Sequence, residues 1–207
     1  MTFLWKTILV WSIISLAILV VLQNWSEVTF VLTFVVAYGG IVFLMQKRIN
    51  AYLYSSGLKR FPVYLAVCVL VSVFEEFYVF ALGNRIAVPD IWKDIVIVPG
   101  EWSVWFATWY LLLAKKYSFA PGEALFAAGF EGIMFEFIGT GLIVADPIGF
   151  LISFPLTIIV YAAIFILPMQ FLSFSGSYKS KWKLPVSVFL PYVLTIPVTF
   201  LLYALVP

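Results

Sequence analysis

Apolar positions in this chain come in long, nearly unbroken runs, and the polar residues collect in the segments between them. A soluble helix would show one apolar stripe and a half-buried strand would alternate; runs this long read instead as membrane spans of about 20 residues each. They predict seven helices, over residues 7–23, 28–46, 61–82, 99–114, 124–145, 148–172 and 184–205. The fourth is short, and it gains Ile95–Val98 if the helix runs through the Pro99-Gly100 break. The expected fold is an all-α polytopic membrane protein in one domain, residues 1–207.

Composition agrees with the pattern. Hydrophobic residues make up 64% of the 207 and charged residues only 11%, where soluble domains carry about 25% charged residues. Charge placement sets an expected orientation. With the N-terminus in the cytoplasm, Lys6, Lys47, Arg48, Lys59, Arg60, Lys115, Lys116, Lys179, Lys181 and Lys183 lie inside and only Arg85 and Lys93 outside, as the positive-inside rule requires. The C-terminus is then outside, and the plasma or cytoplasmic membrane is the expected location. Loop lengths hint at a 3+1+3 arrangement around span four. The first span lacks a small-x-small cleavage pattern and reads as a retained anchor. Asn24-Trp25-Ser26 matches a glycosylation acceptor but sits hard against the membrane.

Within these spans five acids stand out: Glu75, Glu76, Glu101, Glu131 and Glu136, with no lysine or arginine in the same runs. An acid at the centre of a membrane helix costs about 2.5–3.5 kcal/mol even on insertion scales, so each must be protonated, wetted or paired with a cation. At about 1.5 Å per residue, Glu75 and Glu76 lie roughly 21–23 Å along span three. Glu131 lies about 10 Å into span five and Glu136 near the midplane. Glu123 marks the inner mouth and Glu101, two residues after Pro99, the outer surface. Ordered by depth these carboxylates form a ladder across the bilayer. Adjacent Glu75 and Glu76 point about 100° apart, so one can line a pathway while the other bonds a neighbouring helix. Ser72 is placed to donate to either.

Neighbouring residues extend the picture. Gly122, Gly129, Gly132, Gly139 and Gly141 interleave with Ala127, Ala128 and the acids of span five, and Ala128 with Gly132 makes a small-xxx-small packing face. Trp102, Trp105 and Trp109 form one stripe on span four, expected to face lipid or the interface. The alternative is a cradle for an organic cation or flat ligand, since Glu101, Trp105 and Thr108 share a face. Residues 88–94 read as a surface segment capped at Asp90, with Asp90 and Asp94 solvated beside Lys93; the alternative is that the two acids jointly bind a divalent cation.

These residues point to a membrane transport protein, a proton-coupled carrier or cation conduit, whose pathway uses Glu75, Glu76, Glu131, Glu136 and Glu101. Glu123, Ser72, Trp105 and Thr108 are the expected mouth or cavity lining. The expected partners are the bilayer, a proton, small cation or lipophilic substrate, and an oligomer or membrane-complex neighbour; no nucleic acid, cofactor or metal is expected. Anionic substrates are disfavoured because no span carries a base to meet them. The absence of histidine excludes His-ligated haem and Ser-His or Cys-His nucleophiles. A retinal or G-protein-coupled receptor is disfavoured by the inside N-terminus and by the lack of a lysine in span seven.

Two alternatives remain open. One is an intramembrane enzyme that uses a glutamic acid as proton donor on a lipid or isoprenoid. Phe74-Glu75-Glu76-Phe77 resembles the acidic-aromatic motif of membrane lycopene cyclases over four residues, without the preceding proline or a second Glu-Glu copy. Intramembrane CAAX-type proteases also carry paired glutamates, but their histidines have no counterpart and Phe80 stands where they have an arginine. The other alternative is a non-catalytic subunit whose acids bond a partner's helices.

Overall fold

A computed structural model describes residues 2–55, 60–84 and 86–206. All the long elements are helices: α1 (Thr2–Val21), α2 (residues 25–55), α3 (Arg60–Ala81), α4 (residues 91–116), α5 (residues 121–139), α6 (Leu142–Ala145), α7 (Pro147–Met169) and α8 (Lys183–Leu205). Three of them contain π-helical turns, Val31–Gly39 in α2, Trp109–Leu113 in α4 and Met134–Gly139 at the end of α5. Among the described residues, α1, α2, α3, α4, α7 and α8 are long and apolar enough to cross a membrane. The chain is an integral membrane protein.

The fifth expected span departs from its forecast. Instead of running through residues 124–145, the helix begins at Pro121, ends at Gly139, and turns at Thr140-Gly141 before the short α6. Gly141 takes φ +74°, a left-handed conformation that glycine adopts without penalty. The α3 end is built the same way: Gly83 has φ +75°, its N–H bonds Phe80, and the Asn84 N–H reaches back to Val79.

The fourth span also differs. It starts at Ile91, eight residues before Pro99, and Asp90 caps it through the Trp92 N–H at 2.9 Å. Pro99 sits inside the helix, where membrane helices tolerate it because neighbouring groups re-satisfy the freed carbonyl. The carbonyl that Pro99 frees is that of Ile95; one turn on, the Ser103 hydroxyl donates to the Pro99 carbonyl at 2.7 Å. Residues 91–94 are therefore the first turn of α4 and not part of a surface segment.

Helix α7 lies at the centre, packed against α1, α2, α3 and α5, while α4 is held between α3 and α8. The close approach of α5 to α7 comes from glycines. A Cβ on Gly129 would collide with the Ile158 carbonyl, and one on Gly132 with the Tyr161 ring. Ala124, Ala127 and Ala128 are fully buried too; of the expected pair Ala128 is buried and Gly132 tightly packed, and Gly129 adds a still closer approach. The tryptophan stripe points inward, against expectation. Trp105 and Trp109 are wholly buried with Phe106, Phe165 and Tyr64, in an aromatic core that fills the space between α3, α4 and α7. Burying rings this large outweighs a lipid-facing position when three helices converge on them.

The two ends of the bundle differ in charge. At one end Trp5 donates to the Gly122 carbonyl at 3.1 Å, Asn50 bonds Gln170, and residues 117 and 178 form a bridge. These contacts gather the ends carrying Lys6, Lys47, Arg48, Lys115, Lys116, Lys179, Lys181 and Lys183. Lys59 and Arg85 lie outside the described residues. At this basic end Lys183 Nζ binds Glu123 Oε2 at 2.6 Å and the Ser118 carbonyl at 2.9 Å, joining α8 to α5. Burial alone would raise the Glu123 carboxyl, but the Lys183 bond, the Ala120 N–H and the Lys183 charge outweigh it and hold it below the ordinary glutamate value. A depressed carboxylate stabilises the fold above its unfolded pKa, about 4.3, and that contribution is lost as pH falls through the folded value. Glu123→Gln is therefore expected to cost about 1 kcal/mol at neutral pH. Thermal midpoints of wild type and variant should converge in acid below the ordinary glutamate range.

Candidate functional site

Carboxyl groups from four helices converge at the opposite end. Glu75 and Glu76 near the end of α3 are 8% and 7% exposed, and Asp94 in the first turn of α4 is 0% exposed. Glu136 sits in the π-helical end of α5 and Glu27 in the first turn of α2. Glu75 interacts with Glu136, Asp94, Glu76 and Glu27, and Glu76 with Glu75, Asp94 and Glu136. Both members of the pair thus join one cluster. Their 100° divergence is what lets the cluster draw on helices to either side of α3.

The hydrogen-bond inventory constrains this cluster. An ionised carboxylate only accepts, so a Glu75–Glu76 or Glu76–Asp94 contact can close only when one member keeps a proton. Asp94 is anchored from the other side: its Oδ1 accepts the Val88 N–H at 2.7 Å, while Oδ2 has no hydrogen-bond partner. Glu136 is held differently, through a Tyr161 hydroxyl that donates to its Oε1 at 2.6 Å. A phenol donor suits a carboxylate. Glu136 is exposed at the surface of the bundle, not in a sealed core. Trp102 and Trp105 pack against the Tyr161 ring, and Phe135 stacks on it, so the donor to Glu136 is held in an aromatic cluster. Among the described residues no three acidic or thiol groups converge closely enough to hold a metal ion.

Other expected site residues fall elsewhere. Glu101 is seven residues beyond Asp94, about 10 Å further into α4 instead of at the surface; it faces Thr199 of α8 and feels Asp94. Ser72 donates to the Cys68 carbonyl at 2.9 Å and not to a glutamate. Thr108 donates to the Val104 carbonyl at 2.8 Å, and Trp105 is core. Glu123 is at the basic end, as expected, paired with Lys183. Glu131 is 0% exposed and stands apart from the other acids, beside the indoles of Trp105 and Trp109. The ladder therefore separates into three parts: Glu123 at the basic end, Glu131 alone in the interior, and a cluster at the acidic end.

Comparison with family models, characterised proteins and solved structures returned no match. Function must be argued from the site itself.

Sequence reasoning missed Asp94, Glu27 and Tyr161. The signal for Asp94 was present, since Pro89-Asp90 followed by Ile91, Ile95 and Val98 is a capped helix start with apolar residues on one face. Tyr161 is a lone hydroxyl in an apolar run, Ile158-Ile159-Val160-Tyr161-Ala162-Ala163. Glu27 had no signal beyond its charge. Asn24, the glycosylation candidate, serves as the α2 cap, with Oδ1 accepting from Ser26 Oγ at 3.1 Å and more loosely from the Glu27 N–H.

Proposed function

We propose that this protein is a proton-coupled membrane carrier whose coupling site is the acidic-end cluster of Glu75, Glu76, Asp94 and Glu136. The observation that carries this reading is the convergence of four acids from three helices, of which Glu136 is exposed. Acids held this close cannot all ionise, so the cluster stores protons and releases them as its surroundings change. The aromatic core of Trp105, Phe106, Trp109 and Phe165 lies between the cluster and the basic end, which argues for a carrier closed on one side over an open conduit. Glu101 extends the cluster toward α8.

In this reading the chain crosses the bilayer seven times, with α5 as the remaining crossing. Its nineteen or so residues span about 28 Å, and its ends meet opposite poles of the bundle: Glu123 joins Lys183 and Glu136 joins the acid cluster. The basic end is cytoplasmic, the N-terminus inside and the C-terminus outside, in a plasma or cytoplasmic membrane. With Cys68 replaced by alanine, a cysteine at position 143 should react with an impermeant maleimide from outside intact cells. One at position 118 should react only after permeabilisation. Labelling of both from the same side would remove the seventh crossing.

A second reading is favoured by the aromatic cluster around Tyr161 beside Glu136: an intramembrane acid catalyst acting on a lipophilic substrate, with a carboxyl as proton donor and aromatic faces stabilising developing positive charge. One experiment separates the two. Purified protein in liposomes under an imposed pH gradient, read by an entrapped pH dye, should dissipate the gradient in the presence of transported solutes supplied as a cation and amine panel. No dissipation with any solute, together with a new isomerised or cyclised species in lipid extracts of producing cells, would replace the carrier by the enzyme.

A further inference from the structure

At the basic end of the bundle a groove of about 390 Å³ lies between the last turns of α4 and the first turns of α8. Its wall is apolar, made by Leu111, Leu112 and Leu113 with Val186 and Leu190, and Lys115, Lys116 and Tyr117 complete the lining at the polar end. Val186 and Leu190, four residues apart, share one face of α8. The three leucines belong to the π-helical turn of α4, a distortion that is frequent at functional sites.

The cations of this groove are uncommitted. Lys183, at the start of α8, is engaged by Glu123 and the Ser118 carbonyl. Lys115 and Lys116 are exposed and, among the described residues, form no ion pair. Their ammonium groups lie over the Tyr110 and Tyr117 rings, 5.7 and 5.4 Å from the centroids. The backbone beneath them is fixed, because the Gly176 N–H donates to the Ala114 carbonyl at 3.2 Å and the Tyr178 N–H to the Lys116 carbonyl at 3.3 Å.

Two features select the guest. Adjacent cations call for an anion, and the wall directly below them calls for hydrocarbon, since the leucines end a helix apolar enough to cross a membrane. A free phosphate would meet the lysines and leave the groove unfilled. A peptide segment would bury backbone polar groups against leucines without partners. A zwitterionic lipid would fill the groove and bring its own cation to the lysines.

We propose that this groove binds an anionic phospholipid, its phosphate held by Lys115 and Lys116 and an acyl chain lying along Leu111, Leu112, Val186 and Leu190. Basic pockets between membrane helices are sites where such headgroups bind. The site uses none of the clustered acids and holds whether the protein is a carrier or a catalyst.

The test uses the full chain in mixed micelles with phosphatidylglycerol or phosphatidylcholine, retained lipids being counted by native mass spectrometry. One phosphatidylglycerol per chain should be retained at ratios where phosphatidylcholine is not. Lys115→Gln with Lys116→Gln should weaken that retention by about tenfold or more, and Lys115→Arg with Lys116→Arg should keep it. Lys179→Gln with Lys181→Gln removes the same charge from the same end but outside the groove, and should leave retention unchanged. All four lysines are exposed, so these variants keep the fold. Equal behaviour of the two glutamine variants would place the attraction in the charge of the whole basic end and overturn the proposal. So would equal retention of the two lipids, or displacement of phosphatidylglycerol by glycerol phosphate, which carries the anion without the chains.

Discussion

Glu76→Gln and Asp94→Asn should each lower proton-coupled flux by about tenfold or more, equivalent to at least roughly 1.4 kcal/mol on the limiting barrier, while leaving the fold as stable as wild type or more so. The amides keep the shape of the acids. In Asp94→Asn the Oδ1 atom still accepts the Val88 N–H that now bonds it at 2.7 Å. What disappears is the charge each acid can impose on its neighbours, Glu75 and Glu136 for Glu76, and Glu75, Glu76 and Glu101 for Asp94. Clustered acids of this kind are held for function at a cost in stability, so relieving one should raise the thermal midpoint. A gain of about 1 kcal/mol would appear as roughly 2–4 °C for a chain of this length. Asp94→Ala is the contrasting variant, because it also orphans the Val88 N–H and should lose about 1–3 kcal/mol. Flux measured in liposomes and melting measured in detergent decide the matter together. If the two amide variants melt well below wild type, the cluster is structural glue and the coupling role fails.

Gly129→Ala is expected to destabilise the helix packing strongly, costing about 3 kcal/mol. The added Cβ meets the Ile158 carbonyl and its side chain, and backbone cannot rotate away as a side chain can. Helices α5 and α7 would have to separate along their length, opening the core around Ala124, Ala127 and Ala128. Gly132→Ala meets a ring instead, that of Tyr161, and tilting the ring is cheaper than moving a helix. Its effect should fall on the Tyr161–Glu136 hydrogen bond and therefore on flux before stability. Denaturation in mixed micelles, compared with flux for both variants, should show Gly129→Ala unfolding first and Gly132→Ala folded but impaired. Equal stability of Gly129→Ala and wild type would mean that α5 and α7 do not pack as closely as described.

The legible part of this protein was what depends on composition along one helix. Apolar runs locate membrane helices because every backbone polar group in lipid must be satisfied within its own segment, so a spanning helix is readable without knowing its neighbours. The gathering of basic residues at one end was visible for the same reason, and so was the oddity of Glu75, Glu76, Glu131 and Glu136, though these read as a ladder and not as an acidic end. Depth along a helix was readable only where the helix bounds were right: taking Pro99 as the start of α4 left Glu101 at the surface and Asp94 in water, and taking residues 124–145 as one helix left Glu136 near the midplane although α5 ends at Gly139.

Direction around a helix was not legible, and that is where the site was decided. Only the packing of α3 against α4 brings Glu76 to Asp94. Only the glycine-mediated approach of α5 to α7 brings Tyr161 to Glu136. The tryptophan stripe of α4 could have faced lipid as well as core, since both environments are apolar and the sequence pattern does not distinguish them. Tertiary structure turned it inward, and in doing so it separated Glu131 from the other acids and gave it two indole neighbours. The sequence by itself determined that carboxyl groups lie in the membrane; which of them meet was settled by the side chains of other helices, because a buried acid takes its partners from whatever packs against it.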